Sequence, residues 1–375
     1  MAKFLVVHPN LDIYGGGEKV CHHVLKALST HSQEVQLLTF DFDSKSYFEI
    51  MGEKLPQGVT VHELGERTEI KPPFTIYKKR RKVIKLLKKF KNVDYDFVFS
   101  TQSYTAFEAG VLNKGKRNIA YVHFPEIHYT FDHSGFKMKT YLWLYKKWLE
   151  KNVNKLDMVF CNSNYTKAII EKYWKKPGIA NPITVYPPVN LTPFWCSNPL
   201  KERTKRVVYL GRFIPQKRHG FLKKLAVEFP KYEFVSIGGL RNSEEKWFEQ
   251  YNRDLPKNYS VKPNLPGPEL IETLQDSQIY CHLMEGEHFG IAPIEALASG
   301  CVTLVHSRGG SGEFIPEEFR WNTFENLKEK IAHTIKKLDK NENWETERNN
   351  LWAKIKVLEP ENFENEIFSN IKNML

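Results

Sequence analysis

The stretch Glu285-Gly-Glu287-His288-Phe289-Gly290-Ile291-Ala292-Pro293-Ile-Glu295-Ala-Leu-Ala-Ser-Gly300 decides how the rest of the chain is read. Two carboxylates, Glu287 and Glu295, flank a glycine turn and a proline. Proline suits the first turn of a helix, because its φ is pre-set and its missing N–H would have had no helical partner. A helix starting near Pro293 puts Glu295 in its first turn and lets Gly300 end it. The N–H groups from Phe289 to Ala292 then point beyond the helix start, where backbone donors and the helix dipole favour an anion. An anion cradle with a carboxylate at each end has the layout of a sugar nucleotide, a phosphate between hydroxyl-bearing groups.

Working outward, short apolar runs at Gln278–Leu283 and Val302–Val305 bracket this stretch, so it lies just past the carboxyl end of a strand. Open α/β sheets bind ligands there. Upstream, the strand pattern Arg206–Leu210 leads into Gly211-Arg212-Phe-Ile-Pro-Gln-Lys217-Arg, and Glu233–Ile237 is closed by Gly238-Gly239. The first half of the chain repeats this logic. Lys3–His8 is a β-rich run, followed by Gly15-Gly16-Gly17 and a helical pattern with Val20, Val24, Leu25 and Leu28 on one face. Strand, glycine turn and helix form the phosphate-binding opening of a doubly wound fold, although three successive glycines are not the dinucleotide fingerprint. Glu34–Thr39, Phe97–Ser100, Asn118–Val122 and Met158–Asn162 continue the alternation, which implies parallel sheets covered on both faces. Around 188–205, rich in proline and polar residues, the rhythm pauses as at a linker. The tail from Asn322 reads as charged amphipathic helices, with Trp344, Trp352 and Phe363 as packing residues.

A chain of 375 residues with 41% hydrophobic content supports two domains with real cores. Five scattered cysteines with no close pair argue against a disulfide framework or a zinc site and fit a reducing compartment. No apolar run approaches the roughly 18–20 residues needed to span a bilayer. The formal charge of +11 favours polyanionic partners: nucleic acid, anionic lipid or phosphorylated substrates. Much of it sits in Lys78–Lys91, nine basic residues and no acid, with Val83, Leu86, Leu87 and Phe90 at helical spacing. A basic amphipathic helix suits an anionic membrane surface, and also an ordinary outer helix with its apolar stripe on the core. Phe136–Leu149 interleaves lysines with Tyr141, Trp143, Tyr145 and Trp148, as an interfacial belt or as stem packing.

The paired glutamates with seven residues between them, together with Gly211-Arg-Phe-x-Pro-x-Lys217, resemble the motifs of the retaining glycosyltransferases of family 4. Within that family the likeness is to the α-1,2-mannosyltransferases of lipid-linked oligosaccharide assembly. It rests on Tyr121-Val-His-Phe-Pro, Asn162-Ser-Asn-Tyr-Thr-Lys, Val185-Tyr-Pro-Pro, Gly239-Leu-Arg-Asn-Ser-Glu-Glu and His306-Ser-Arg-Gly-Gly. The resemblance implies the GT-B class of α/β fold, two facing Rossmann-like domains with parallel sheets and an interdomain cleft. The expected division is an acceptor- and membrane-facing domain over 1–187, the linker, and a donor domain over 206–358. A final helix over 359–375 would pack back on the first domain.

By the same resemblance Arg212 and Lys217 bind the donor diphosphate, Glu295 the ribose and Glu287 the transferred sugar. His288 and the backbone from Phe289 through Gly290 and Ile291 to Ala292 line the donor. Gly16, between Gly15 and Gly17, approaches the β-phosphate, and His123 contacts the donor sugar or supports the reaction centre. No cofactor is expected beyond the nucleotide-sugar substrate. Metal independence is expected too, since Asp41-Phe-Asp43 has the letters of a metal motif where the family has no metal. The implied partners are GDP-mannose, a lipid-linked glycan acceptor and, through Lys78–Lys91, the cytosolic face of a membrane. Competing readings are a sugar-nucleotide epimerase, a phosphorylase, a transferase using UDP-glucose or UDP-N-acetylglucosamine, and a non-enzymatic nucleic-acid-binding protein. No nucleic acid is expected, because no helix-turn-helix, zinc-finger or RNA-binding aromatic motif occurs.

Overall fold

The computed structural model describes residues 2–11, 15–31, 34–65, 75–78, 81, 95–102, 117–174, 181–340 and 344–375. The chain forms two compact units, Met1–Pro188 with Pro360–Leu375, and Val189–Glu359.

The first unit is built on strands β1 (Lys3–Val7), β2 (Glu34–Thr39), β3 (Val59–Glu63), β4 (Phe97–Ser100), β5 (Arg117–Val122), β6 (Met158–Cys161) and β7 (Ile183–Thr184). They run parallel in the order β3-β2-β1-β4-β5-β6-β7. Strand β4, Phe-Val-Phe-Ser, is buried along its whole length, as a strand covered on both faces must be. The helix Gly16–Thr30 buries Val20, Val24, Leu25 and Leu28. The terminal helix Pro360–Lys372 adds Phe363, Ile367 and Ile371 to the same core. Their spacing of four keeps all three on one stripe, each contributing about 1.5–3 kcal/mol by burial. A bond between His23 Nδ1 and Glu364 Oε1 at 2.7 Å fixes the tail helix along the first.

The second unit repeats the design with β8 (Thr204–Leu210), β9 (Glu233–Gly238), β10 (Tyr259–Pro263), β11 (Ser277–Cys281), β12 (Val302–His306) and β13 (Arg320–Trp321), in the parallel order β10-β9-β8-β11-β12-β13. In both sheets the chain starts in the middle, winds to one side, then returns and winds to the other. Direction reverses between β1 and β4 in the first sheet and between β8 and β11 in the second. Ligands bind outside the carboxyl ends of the strands at that reversal. Strand β10 carries Pro263 and lies at the sheet edge, the place where a missing N–H does least harm.

Two local expectations need correction. Residues 188–205 do not form a free polar linker. Leu191, Phe194 and Leu200 are buried. Arg203 is buried as well, donating to the carbonyls of Ser299 at 2.7 Å and Asn198 at 2.9 Å. Pro193 lies within the short 3-10 turn Thr192–Phe194, and Pro199 precedes a second, Leu200–Glu202. The helix expected near Pro293 starts two residues earlier, at Ile291. Gly290, at φ 90°, makes the entry turn that no β-substituted residue would make without strain. Pro293 stays within the first turn, while Glu295 falls in the second.

Candidate active site

At the end of β8, Gly211 donates its N–H to Ile237 O at 2.9 Å, and Phe213 donates to Gly239 O at 3.0 Å. The two chains run so close that a Cβ on Gly238 would overlap the Gly211 carbonyl oxygen. From this anchored start the chain makes the turn Pro215–Lys217 and passes Arg218 in the left-handed region at φ 53°. His219, fully buried, pins the loop from beneath. Its Nε2 donates to Arg212 O at 2.9 Å, which leaves Nδ1 to accept from Ser236 Oγ at 2.6 Å. Burial lowers this imidazole to about 4, so it stays neutral. Arg212 itself is exposed. Lys217 is held by its backbone, whose carbonyl accepts from Tyr209 O–H at 2.8 Å.

The loop after β11 brings the first glutamate onto this lysine. Lys217 Nζ lies 2.5 Å from Glu287 Oε2, and His282 Nε2 lies 3.1 Å from the same oxygen. His282 is buried at the strand end, and its Nδ1 is 3.2 Å from Tyr280 O–H. A carboxylate can only accept, so Nε2 carries the proton and Nδ1 accepts from the tyrosine. Burial lowers the His282 pKa even with the Glu287 charge beside it. For Glu287, burial favours the neutral acid, but the Lys217 ammonium and the His282 N–H outweigh it and hold the carboxyl well below its ordinary value. Glu287 is therefore a permanently charged acceptor.

A second ion cluster flanks the first. Glu285 receives Arg218 NH2 at 2.7 Å and Arg308 NH1 at 3.3 Å. The Arg218 hydrogen bond holds its carboxyl below the usual range. Backbone contacts set both glutamates in place. Gly286 N–H donates to Arg308 O at 2.9 Å, and Gly310 N–H to Glu287 O at 2.8 Å. A side chain on Gly309 would meet the Glu287 carbonyl at 2.7 Å.

Beyond Gly290, no side chain caps the start of the helix Ile291–Ala298. The amides of its first residues are thus open to a ligand, next to the Glu287 carboxylate. The far end closes in a Schellman arrangement, Gly300 N–H to Leu297 O at 2.9 Å and Cys301 N–H to Ala296 O at 3.1 Å. Gly300 takes φ 82° for this. The tail packs here: Trp352 Nε1 donates to Leu297 O at 2.8 Å and Trp344 Nε1 to Gly300 O at 3.2 Å. Glu295 is buried, and Phe289 is buried beside Phe314. His288 is partly exposed.

The site residues expected in the first unit gather at its own strand reversal. His8, after β1, bonds through Nδ1 to Thr101 Oγ1 at 2.9 Å, after β4. His123, after β5, donates to Thr101 O at 3.0 Å. Gly15 caps the helix that begins at Gly16. A Cβ on Gly17 would come within 3.5 Å of His123 Nε2, so these glycines let the helix start lie close to the imidazole. Lys78–Lys91 lies outside the described residues except for Lys78 and Arg81. Asp43, half of the Asp41-Phe-Asp43 pair, is a helix cap, its carboxylate accepting from Ser46 N–H at 2.9 Å. Among the described residues no group of three or more His, Cys, Asp or Glu is placed to hold a metal ion. None of their helices is long and apolar enough to cross a membrane.

Residues 14–192 match the family model described as Glycosyltransferase Family 4, and residues 196–355 match the one described as Glycosyl transferases group 1. The chain belongs to the family 4 glycosyltransferases. It is similar to the human GDP-Man:Man(3)GlcNAc(2)-PP-Dol alpha-1,2-mannosyltransferase, 31% identical over 205 residues, covering 48% of this chain and 41% of the human protein. The protein of the same name from Caenorhabditis elegans is 24% identical over 269 residues, 60% of this chain and 56% of that one. The chain thus matches about two-fifths of the human relative's length. Among solved structures, HepE from Anabaena in complex with UDP and glucose gives a TM-score of 0.73 at 14% identity over 100% of both chains. Sucrose-phosphate synthase from Thermosynechococcus elongatus gives 0.77 at 16% identity, over 100% of this chain and 99% of that one. Together with the two parallel-sheet, Rossmann-like units, this likeness establishes the GT-B fold for the chain.

His282, Arg218, Glu285, Arg308 and His219 were not among the residues singled out for the site. One signal was present: a histidine closing the otherwise apolar strand run Gln-Ile-Tyr-Cys-His-Leu.

Proposed function

We propose that this family 4 glycosyltransferase transfers mannose from GDP-mannose to a lipid-linked glycan, with retention of the anomeric configuration, at the cytosolic surface of a membrane. The observation that carries the reading is the Lys217–Glu287 pair beside the uncapped start of the helix Ile291–Ala298. A cation and an anion in contact, next to free amides, match neighbouring parts of one ligand. The ammonium and amides suit a diphosphate and the carboxylate suits the hydroxyls of the attached sugar. The names of the relatives supply the mannose, the guanosine nucleotide and the dolichol-linked acceptor.

In this reading Arg212 and Lys217 hold the diphosphate and stabilise the charge that grows on it as the glycosidic bond breaks. Glu287 positions the sugar, and its charge, fixed by Lys217 and His282, excludes it as a proton donor. Glu295 holds the ribose. The acceptor hydroxyl attacks the anomeric carbon on the face the diphosphate leaves, and its proton passes to the departing phosphate oxygen. Protein cations do the work elsewhere given to a metal, so the rate should not change with a chelator.

The test is nucleotide release from GDP-mannose, UDP-glucose and UDP-N-acetylglucosamine, with and without a dolichol-linked acceptor, in the presence and absence of EDTA. Turnover of a UDP-sugar alone would reassign the donor. Failure to bind any of the three would end the reading.

A further inference from the structure

We propose that the helix Phe136–Asn152 in the first unit is a bilayer-docking element, which inserts Phe136, Trp143 and Leu144 among anionic lipid headgroups. This gives a location to the membrane-surface reading above and rests on it.

The helix is amphipathic in an unusual sense. Its inner face buries Leu142, Tyr145 and Leu149 against Ile127. Its outer face is not polar. Phe136 is 84% exposed, Leu144 60% and Trp143 47%, three of the large apolar side chains that the described residues leave most open to solvent. The remaining exposed residues on the helix are Lys137, Thr140, Lys147 and Lys151. No acid is among them. The helix's one carboxylate, Glu150, is partly buried and paired with Lys146 at 2.5 Å. Lys147 Nζ stands 4.0 Å over the Trp143 ring, so cation and anchor occupy one spot.

At helical spacing Phe136, Thr140, Trp143, Leu144, Lys147 and Lys151 share one side. A soluble surface normally keeps such apolar groups apart, and a contiguous set marks an interaction face. Its charge selects the partner. Lysines around aromatic and aliphatic anchors complement a plane of negative headgroups over hydrocarbon, with the lysine stems lying along the apolar layer. The segment just before Lys78 is bonded to the same helix: Tyr77 O–H donates to Tyr141 O at 2.5 Å, and Ile76 N–H to Tyr141 Oη at 3.2 Å.

The experiment is co-sedimentation of the full chain with phosphatidylcholine vesicles, with and without 30% (about one lipid in three) phosphatidylglycerol, the anionic membrane surface that basic residues recognise. Two variants are compared, Phe136→Ser/Trp143→Ser/Leu144→Ser and Lys137→Gln/Lys147→Gln/Lys151→Gln. All six positions are exposed, so the fold should survive, checked by circular dichroism. The chain should bind the anionic vesicles and not the neutral ones. At roughly five-fold per lysine, the lysine variant should bind about a hundred-fold more weakly. The apolar variant should lose binding in high salt, where the native protein retains part of it. Nucleotide release from GDP-mannose without lipid should be equal in all three proteins. That readout separates failure of this proposal from failure of the donor assignment. Unchanged vesicle binding in both variants, or no vesicle binding by the native chain, would overturn the docking element. So would a concentration-dependent dimer abolished by the apolar variant, which would assign the face to a second copy.

Discussion

Lys217→Met should uncover how much of the candidate site is held by one ion pair. The substitution keeps most of the side chain's volume and removes the ammonium that lies 2.5 Å from Glu287 Oε2. Both side chains are about one-sixth exposed, 17% and 15%. Removing one partner of a fully buried pair costs about 3–5 kcal/mol, because the other charge is left uncompensated. Here His282 still donates to the same carboxylate, and a hydrogen bond to a charged group offsets about 1.5–3 kcal/mol. The expected loss is therefore about 2 kcal/mol. Glu287→Gln, which keeps an acceptor for both donors, should cost less. In the double variant the coupling energy should be about 1.5–2.5 kcal/mol.

The pH dependence provides an independent check. The Glu287 carboxyl is held well below the 4.5 of an unperturbed glutamate. Its stabilisation is complete above about pH 4.5 and is lost as the pH falls toward the folded-state value. In Lys217→Met, burial acts against the carboxylate with only His282 opposing, so the pKa rises and this acid-sensitive stability shrinks. Urea unfolding at pH 7 and at about pH 3, below the unperturbed glutamate value, with hydrogen exchange over 282–298 to localise the effect, measures both quantities. A donor at 100 times its dissociation constant stabilises the native chain by about 2.7 kcal/mol, and Lys217→Met should lose most of that shift. A coupling energy within about 0.5 kcal/mol of zero would refute the reasoning, since the pair would then be incidental to the site.

Three further outcomes follow from the geometry. His219 is buried and lowered to about 4, so below pH 6.5 only the unfolded chain takes up its proton. Between pH 7 and pH 5 this should remove up to about 2 kcal/mol of stability, a slope that His219→Gln should flatten in urea titrations. Gly238→Ala puts a methyl group on the Gly211 carbonyl. It should lower the unfolding midpoint and weaken donor binding together by displacing the Arg212–Lys217 loop, and an unchanged dissociation constant would count against that loop. Glu295→Gln should weaken GDP-mannose binding about 10–100-fold by calorimetry, with little change in melting temperature.

Most of the framework was legible in the chain because its signals are local. Buried parallel strands such as Phe97–Ser100 and Val302–His306 are short apolar runs, and each glycine-bearing loop directly follows one. The tail helix was legible by its spacing of apolar residues. The edge strand Tyr259–Pro263 was not, because an edge needs only one apolar face, and Tyr-Ser-Val-Lys-Pro reads as a loop. Strand β3, Val59–Glu63, escaped for the same reason at the opposite unit's edge. The helix boundary at Ile291 was missed because proline tolerates any first-turn position, and the left-handed φ that fixes the start belongs to Gly290.

The electrostatic part of the site was the least legible. A motif can mark Glu287 and Lys217 as functional, but their contact spans 70 positions and exists only because β8 and β11 are neighbours in the sheet. The same adjacency places His282 under the pair and Arg218 against Glu285. None of these side chains is unusual on its own line of sequence. Once the doubly wound strand order is granted, however, the loops after β8 and β11 must meet at the reversal. A lysine, an arginine, two glutamates and a histidine carried by those two loops are then confined to one small space. Their charges can coexist only if each cation finds a carboxylate. The pairing is thus a consequence of topology plus the cost of an unpaired buried charge, and it predicts that swapping the two charges together, Lys217→Glu with Glu287→Lys, should restore stability relative to either single change while abolishing donor turnover. Denaturation midpoints and nucleotide release measured on the same three proteins check this. Equal stability of the double and single variants would show that the pair is held by its surroundings and not by its own charges.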